Sequence, residues 1–158
     1  MRRKDREITK IDEILAIIAK CQVMRVAFVD GCKPYIVPLN FGIVKDEDEN
    51  LSIYFHCAKE GKKLEIIKAN NYVCFEVDCS LNIITNEKEC EWTAEYESVI
   101  GSGTLTIVSD ENEKEIGMTK IMEKYGFSGT ARYNPQVFSR TKILKLTVKE
   151  VVGKGNLK

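Results

Sequence analysis

Six stretches of this chain, 23–30, 34–44, 52–58, 72–78, 92–108 and 142–154, carry the alternating apolar, β-branched and aromatic pattern of strands, and most of the joints between them are short. A parallel crossover needs a dozen or more residues, usually a helix, so strands joined this closely pair antiparallel. Six such strands hiding one apolar face curl toward a barrel and leave helices for its ends and sides. The expected class is therefore α+β, an antiparallel six-stranded barrel-like sheet in a single domain over 1–158, and 44% hydrophobic residues suffice for its core. No G-x-G-x-x-G stands between a strand and a helix, which argues against a doubly wound dinucleotide fold.

Ile8, Ile11, Ile14, Leu15, Ile18 and Cys21 recur at helical spacing and predict an amphipathic helix over 7–21. Asp30-Gly31 is a hairpin turn signal between the first two strands. Pro38 sits badly in the second, because proline lends no N–H to a ladder; it marks an edge, a bulge or backbone that faces a ligand. Residues 45–50, KDEDEN, read as a solvated hairpin loop, and Asn70-Asn71 as a helix stop. Val73, Phe75 and Val77 alternate against Cys74, Glu76 and Asp78, whereas 80–91 reads as a polar loop. Gly101 and Gly103 predict a bend, a bulge or a close backbone approach in the fifth strand. Asp110 with Glu113 signals a helix start, with Ile116, Met118, Ile121, Met122 and Tyr125 as its buried stripe and Gly126 closing it. Tyr133, Asn134 and Pro135 fall in a polar loop before the last strand.

With 24 Lys plus Arg against 24 Asp plus Glu, no global basic field draws this chain onto nucleic acid or an anionic membrane, so anion recognition has to be local. No apolar run approaches the roughly 18 to 20 residues of a membrane span. The start, MRRKDREITK, lacks the apolar core of a secretory signal, and a cytoplasmic location is expected. The six cysteines, at 21, 32, 57, 74, 79 and 90, include no CxxC pair and stand beside a single histidine, so they read as packing rather than as a metal site or a disulfide framework.

That histidine is the centre of the most specific local pattern, Ser52 to Leu64, SIYFHCAKEGKKL. Ile53, Phe55 and Cys57 alternate against Ser52, Tyr54 and His56 as a strand, and Leu64, Ile67 and Lys68 take up helical spacing after Gly61. Free N–H groups and the positive end of a helix would then lie beside Lys59, Lys62 and Lys63, which suits a phosphate. A KEGKK run is also what a plain solvated helix start looks like.

Five segments in order, MRRKDREI at 1–8, PYIVPLNFG at 34–42, FHCAKEGKKLEII at 55–67, VCFEVD at 73–78 and CEWTAEYESVIGSG at 90–103, resemble the flavin-binding split-barrel superfamily related to pyridoxamine phosphate oxidase, and within it the branch of nitroimidazole-resistance-type proteins. The resemblance implies a six-stranded split barrel that forms a homodimer with FMN in each of two interface clefts. It implies ring contacts from Pro38, Leu39 and Asn40; phosphate and ribityl contacts from His56, Ala58, Gly61, Lys62 and Lys63; and a cleft completed by Trp92, Ser98 and Val99. Which subunit supplies each contact is left open. Trp92 as a core aromatic and Asn40 as a strand-edge hydrogen-bonder are the alternatives at those two positions.

For activity, the resemblance implies a flavin-dependent oxidoreductase that reduces a small, nitroaromatic substrate, with His56 as the catalytic candidate and no protein nucleophile. A non-catalytic flavin- or haem-binding module is the alternative, with His56 as a haem ligand. A pyridoxamine phosphate oxidase proper is disfavoured, because RYNPQVFSRTK, with Arg132 and Arg140, does not reproduce that enzyme's arginine-rich substrate signature.

Overall fold

The second predicted strand breaks at Asn40, and the break decides the architecture. In the computed structural model, which describes residues 2–156, β2 (Met24–Asp30) pairs with β3 (Lys33–Leu39) across a turn in which Gly31 adopts φ 63°. After Asn40 the chain enters β4 (Phe41–Lys45), which pairs instead with β5 (Leu51–Ala58). The other strands are β1 (Glu7–Ile8), β6 (Tyr72–Ile84), β7 (Thr93–Ile107) and β8 (Thr141–Asn156). They join in the order β3-β2-β6-β7-β8-β5-β4, with β1 added on β8, and every pairing is antiparallel.

β3 and β4 are thus the two ends of the ladder, yet one residue separates them in the chain. Two virtual bonds span at most ~7.6 Å, so the sheet has to roll until its edges meet at Asn40. The result is a barrel split along that seam. Pro34 and Pro38 are tolerated because β3 pairs on one side only, the edge reading of Pro38. Six expected strands become eight by the break at Asn40 and the addition of β1.

Among the described residues four α-helices complete the fold: α1 (Ile11–Lys20), α2 (Lys62–Ala69), α3 (Glu111–Lys124) and α4 (Pro135–Arg140). The first is shorter than 7–21 because Glu7 and Ile8 pair with Lys154 and Gly153. The last lies in what reads as loop, although Asn134 caps it and Pro135 opens it, both standard start signals. Residues 80–84 extend β6 rather than forming loop, with a register slip between Ser80 and Asn82. Among the described residues no helix is long and apolar enough to cross a membrane.

The barrel interior is filled by Val26, Phe28, Phe41, Ile53, Phe55, Val73, Phe75, Val77, Val99, Leu105, Leu144 and Leu146, closed by Ile14, Ile17 and Ile18 of α1 and Leu64, Ile66 and Ile67 of α2. A second cluster, Tyr54, Val108, Ile121 and Ile143, lies under α3. Tyr54, on the predicted polar face of its strand, is therefore buried, its hydroxyl 3.3 Å from Glu113 Oε1. Asp110 starts α3 as expected, its carboxylate accepting from the Glu113 N–H at 2.8 Å. The buried face of α3 is Lys114, Gly117 and Ile121, while Ile116 is 51% exposed.

Glycines set how closely α3 lies on the sheet. A Cβ at Gly42 would stand 2.4 Å from the Lys120 backbone carbon, and one at Gly117 would stand 2.7 Å from the Tyr54 ring. Gly103 makes the expected close approach in β7, since its Cβ would meet the Thr147 carbonyl at 2.1 Å beside a register shift at Ser102.

Gly42→Ala is expected to push α3 off β4 and to destabilise the protein by about 2–3 kcal/mol in chemical denaturation. A second expectation concerns Cys21, which ends α1. Burial, with Cys79 beside it, pushes its thiol from 9.0 up to about 11. The fold favours the neutral thiol, so its contribution is intact below about pH 9 and is lost as pH rises toward 11. Denaturation series at pH 8 to 11 should show a steeper loss of stability for the native chain than for Cys21→Ala.

Candidate functional site

The β4–β5 register places Phe41 opposite Phe55, and one further step along the two chains sets Asn40 against His56. Both line a cavity of about 480 Å³ at the seam, with Ile121, Met122, Tyr125 and Phe127 as the other wall. The wall is built by the end of α3. Gly126, at φ 94°, carries the chain through the left-handed turn in which the Phe127 N–H donates to the Met122 carbonyl (3.1 Å) and the Gly126 N–H to the Glu123 carbonyl (3.0 Å). This folds Phe127 back over the last helical turn.

The Tyr125 hydroxyl ties the wall to the seam. It accepts from Asn40 Nδ2 at 3.0 Å and from the Phe41 N–H at 3.3 Å, and donates to the Gln22 carbonyl at 2.6 Å. One phenol thereby holds Gln22, two residues before β2, the joint between β3 and β4, and the end of α3. Met122 and Tyr125 were expected in the buried stripe of α3 and Phe127 in no role; the left-handed Gly126 is the signal that locates all three at a turn.

From His56 the outer face of β5 continues to Ala58, and the chain then turns at Gly61, φ 140°, into α2. No side chain caps that helix start, a Cβ at Gly61 would meet nothing within 4 Å, and the Leu64 N–H donates to the Gly61 carbonyl at 2.9 Å, which leaves the N–H groups of Lys62 and Lys63 without an intrahelical partner. The two lysines diverge. Lys63 is half-buried near the Cys57 thiol. The Lys62 ammonium pairs with Asp30 Oδ2 at 2.8 Å and lies 4.9 Å above the Tyr35 ring, and the Asp30 carboxylate raises its pKa. An anion at the helix start would share Lys62 with Asp30.

The remaining predicted residues fall on other faces. Pro38, Arg25, Glu76 and Ile100 form one row across the outside of four strands; Ile36, Ala27, Cys74 and Ser102 form the next. Ile36 is 61% exposed and Ile100 55% exposed beside a cavity of about 290 Å³. Arg25 anchors the polar side of this apolar face through Glu76 at 3.0 Å and Asp78 at 2.6 Å. Ser98 stands between Asp78 and Lys154 in the ladder. Leu39 is half-buried against the core, and Val99 is wholly buried, so Val99 presents only its backbone to a ligand.

Trp92 precedes the 15-residue β7 at its far end, its indole N–H donating to the Asn86 carbonyl at 2.9 Å. Val108, just past the other end, bonds to Ile143, the partner of His56. A whole strand, ~50 Å of extended chain, therefore lies between Trp92 and the level of His56. Within one chain the fold brings Asn40 and His56 into a single pocket, leads from them to Gly61, and leaves Trp92 apart.

Residues 10–155 match the family model described as pyridoxamine 5'-phosphate oxidase. No match was found among curated proteins. Among solved structures, a protein described as a 5-nitroimidazole antibiotic resistance protein from Bacteroides thetaiotaomicron VPI-5482 is 28% identical, with a TM-score of 0.79 over 94% of this chain and 86% of that one. The flavocytochrome Anf3 from Azotobacter vinelandii has a TM-score of 0.83 at 16% identity, covering 100% of this chain and 72% of that one. The FAD and heme binding protein from Mycobacterium smegmatis has a TM-score of 0.83 at 16% identity, covering 97% and 74%. The last two likenesses bear on the fold alone. With nearly its whole length matched by the family model and its sheet split at Asn40, the chain belongs to the pyridoxamine 5'-phosphate oxidase family of split barrels.

Proposed function

We propose that this protein binds FMN between the seam pocket and the start of α2, and that it is a flavin-dependent oxidoreductase acting on a small, planar, nitroaromatic compound. The observation that carries the reading is the single pocket shared by Asn40 and His56, connected through Ala58 to an uncapped helix start. The donor set fits the cofactor. A dianionic phosphate suits the N–H groups of the first turn of α2 with Gly61, Lys63 and Lys62, and a flat ring suits the proline-interrupted edge of Pro38, Leu39 and Asn40. The descriptions of the similar structures, which name flavin, heme and nitroimidazole resistance, support it.

FMN supplies hydride and electron transfer when bound. The protein's part is binding, orientation and exclusion of water. Asn40, held by Tyr125, fixes a polar contact at the ring edge; Met122, Tyr125 and Phe127 give an aromatic substrate an apolar wall; His56 presents a ring N–H toward a nitro oxygen and delivers a proton there. The exposed apolar face around Ile36 and Ile100 supports a homodimer in which the Ser98–Val99 and Trp92 segments of one copy complete the site of the other. The cysteines, all unpaired, support a reducing compartment, the cytoplasm.

A second reading, a flavin- or haem-binding module without turnover, draws on the exposed His56 imidazole in a pocket of this size and on the heme named for two of the similar structures. Absorbance of freshly purified protein separates the two. A flavin spectrum bleached by NADH or NADPH and restored by a nitroaromatic compound supports the oxidoreductase; a Soret band, or a flavin that never cycles, supports the module.

Lys62→Ala with Lys63→Ala removes two charge-assisted contacts and is expected to weaken FMN binding about 100-fold or more in fluorescence titration. Unchanged affinity would contradict the phosphate assignment. Ile36→Lys with Ile100→Lys should yield a folded monomer by light scattering, with weakened flavin binding; a persistent dimer would place the interface elsewhere.

A further inference from the structure

Resting on the flavin reading, we propose that Tyr125 is a positioning residue: it locks the Asn40 amide with its carbonyl oxygen left for the ligand, and so makes the imide N–H of a flavin ring the group this corner selects. Two main-chain groups fix how the phenol bonds. The Phe41 N–H can only donate and lies 3.3 Å from the hydroxyl; the Gln22 carbonyl can only accept and lies 2.6 Å from it. A phenol has one hydrogen, and the Gln22 carbonyl takes it. What remains of the hydroxyl is an acceptor, which Asn40, 3.0 Å away, can meet only with Nδ2. An amide turned the other way would set two oxygens face to face with no hydrogen between them. The freedom of an asparagine to present either end is thereby removed. Oδ1 is left over, and among the described residues no hydrogen bond is made to it.

The phenol is held at both ends of its own network. The Tyr125 N–H donates to the Met122 carbonyl at 3.0 Å where α3 closes, and Gln22 stands in the short link between α1 and β2. Asn40, Tyr125 and His56 line the same cavity, so the amide oxygen is offered beside the imidazole. An oxidised isoalloxazine ring carries a single N–H donor, the imide between its two carbonyls, and every other polar atom of its rim accepts. Oδ1 therefore has one complementary atom on that ring. A ligand with only acceptors there, or with a methyl group in place of the hydrogen, leaves Oδ1 unpaired, and the amide cannot turn to suit it while Tyr125 holds Nδ2. Selection at the seam is thus exerted by a residue 85 positions further along the chain.

The test titrates two probes, FMN and FMN methylated at the imide nitrogen, against the full chain and its Tyr125→Phe variant by flavin fluorescence. Both probes carry the same phosphate, so the start of α2 cancels from the ratio of their affinities. The native chain is expected to prefer FMN about 10-fold or more. In Tyr125→Phe the amide is free to turn, and the preference should shrink to about 3-fold or less; loss of a merely structural bond would weaken both probes at an unchanged ratio. Should that variant not fold, NMR of FMN labelled with heavy nitrogen at the imide reads the same contact, its imide proton exchanging more slowly with water on the native chain than on Asn40→Ala. Equal affinity of the native chain for the two probes, a preference that survives Tyr125→Phe unchanged, or an imide proton equally exposed in both chains would overturn the proposal and leave FMN binding in place. Binding of neither probe would overturn the flavin reading and this proposal with it.

Discussion

The one-residue joint at Asn40 is the constraint on which the rest of the molecule depends. Strands at opposite ends of a seven-strand path are consecutive in the chain, and a chain cannot bridge the breadth of an open sheet with one residue. The sheet rolls, its interior fills with the aromatic and branched side chains of alternate positions, and a seam is left where no ladder crosses. Pro38 belongs beside that seam because a proline there wastes no hydrogen bond. Asn40 is drawn into the pocket by the same geometry, since the break that ends β3 leaves its side chain free to meet Tyr125 rather than a neighbouring strand.

The second requirement is a helix that can lie close enough to the seam to wall it. Gly42 and Gly117 allow α3 to approach β4 and β5 to within backbone contact, and the left-handed turn at Gly126 returns Phe127 to the pocket. The Tyr125 hydroxyl then joins three chain segments far apart in sequence. Three glycines and one phenol therefore position a site to which none of the glycines contributes a functional group.

Much of this is legible in the amino-acid sequence. Alternation in 52–58 and 72–78 and the short joints between strands sufficed for an antiparallel barrel, and Asp110 with Glu113 for the start of α3, because these are local signals with one dominant outcome. The resemblance placed Asn40 and His56 among the site residues, and the fold puts them in one pocket. What escaped was set by tertiary contact. Ile8 has a helical residue's spacing but is captured by Gly153 across a ladder, and Ile116 is exposed because the closest approach of α3 runs through Gly117 instead. Tyr54 alternates as a surface residue and is buried only because a helix later in the chain covers it. Lys62 and Lys63 look like one charged pair in the sequence, yet Asp30, more than thirty residues earlier, takes the first of them into an ion pair.

The account stands most directly on where a flavin's phosphate binds. A crystal structure of the protein grown with excess FMN is predicted to show the phosphate on the N–H groups that open α2, within hydrogen-bonding distance of Lys63, with the ring against Pro38–Asn40 and facing His56. A phosphate found at any other part of the surface, or a ring with no contact to Asn40 or His56, would contradict it.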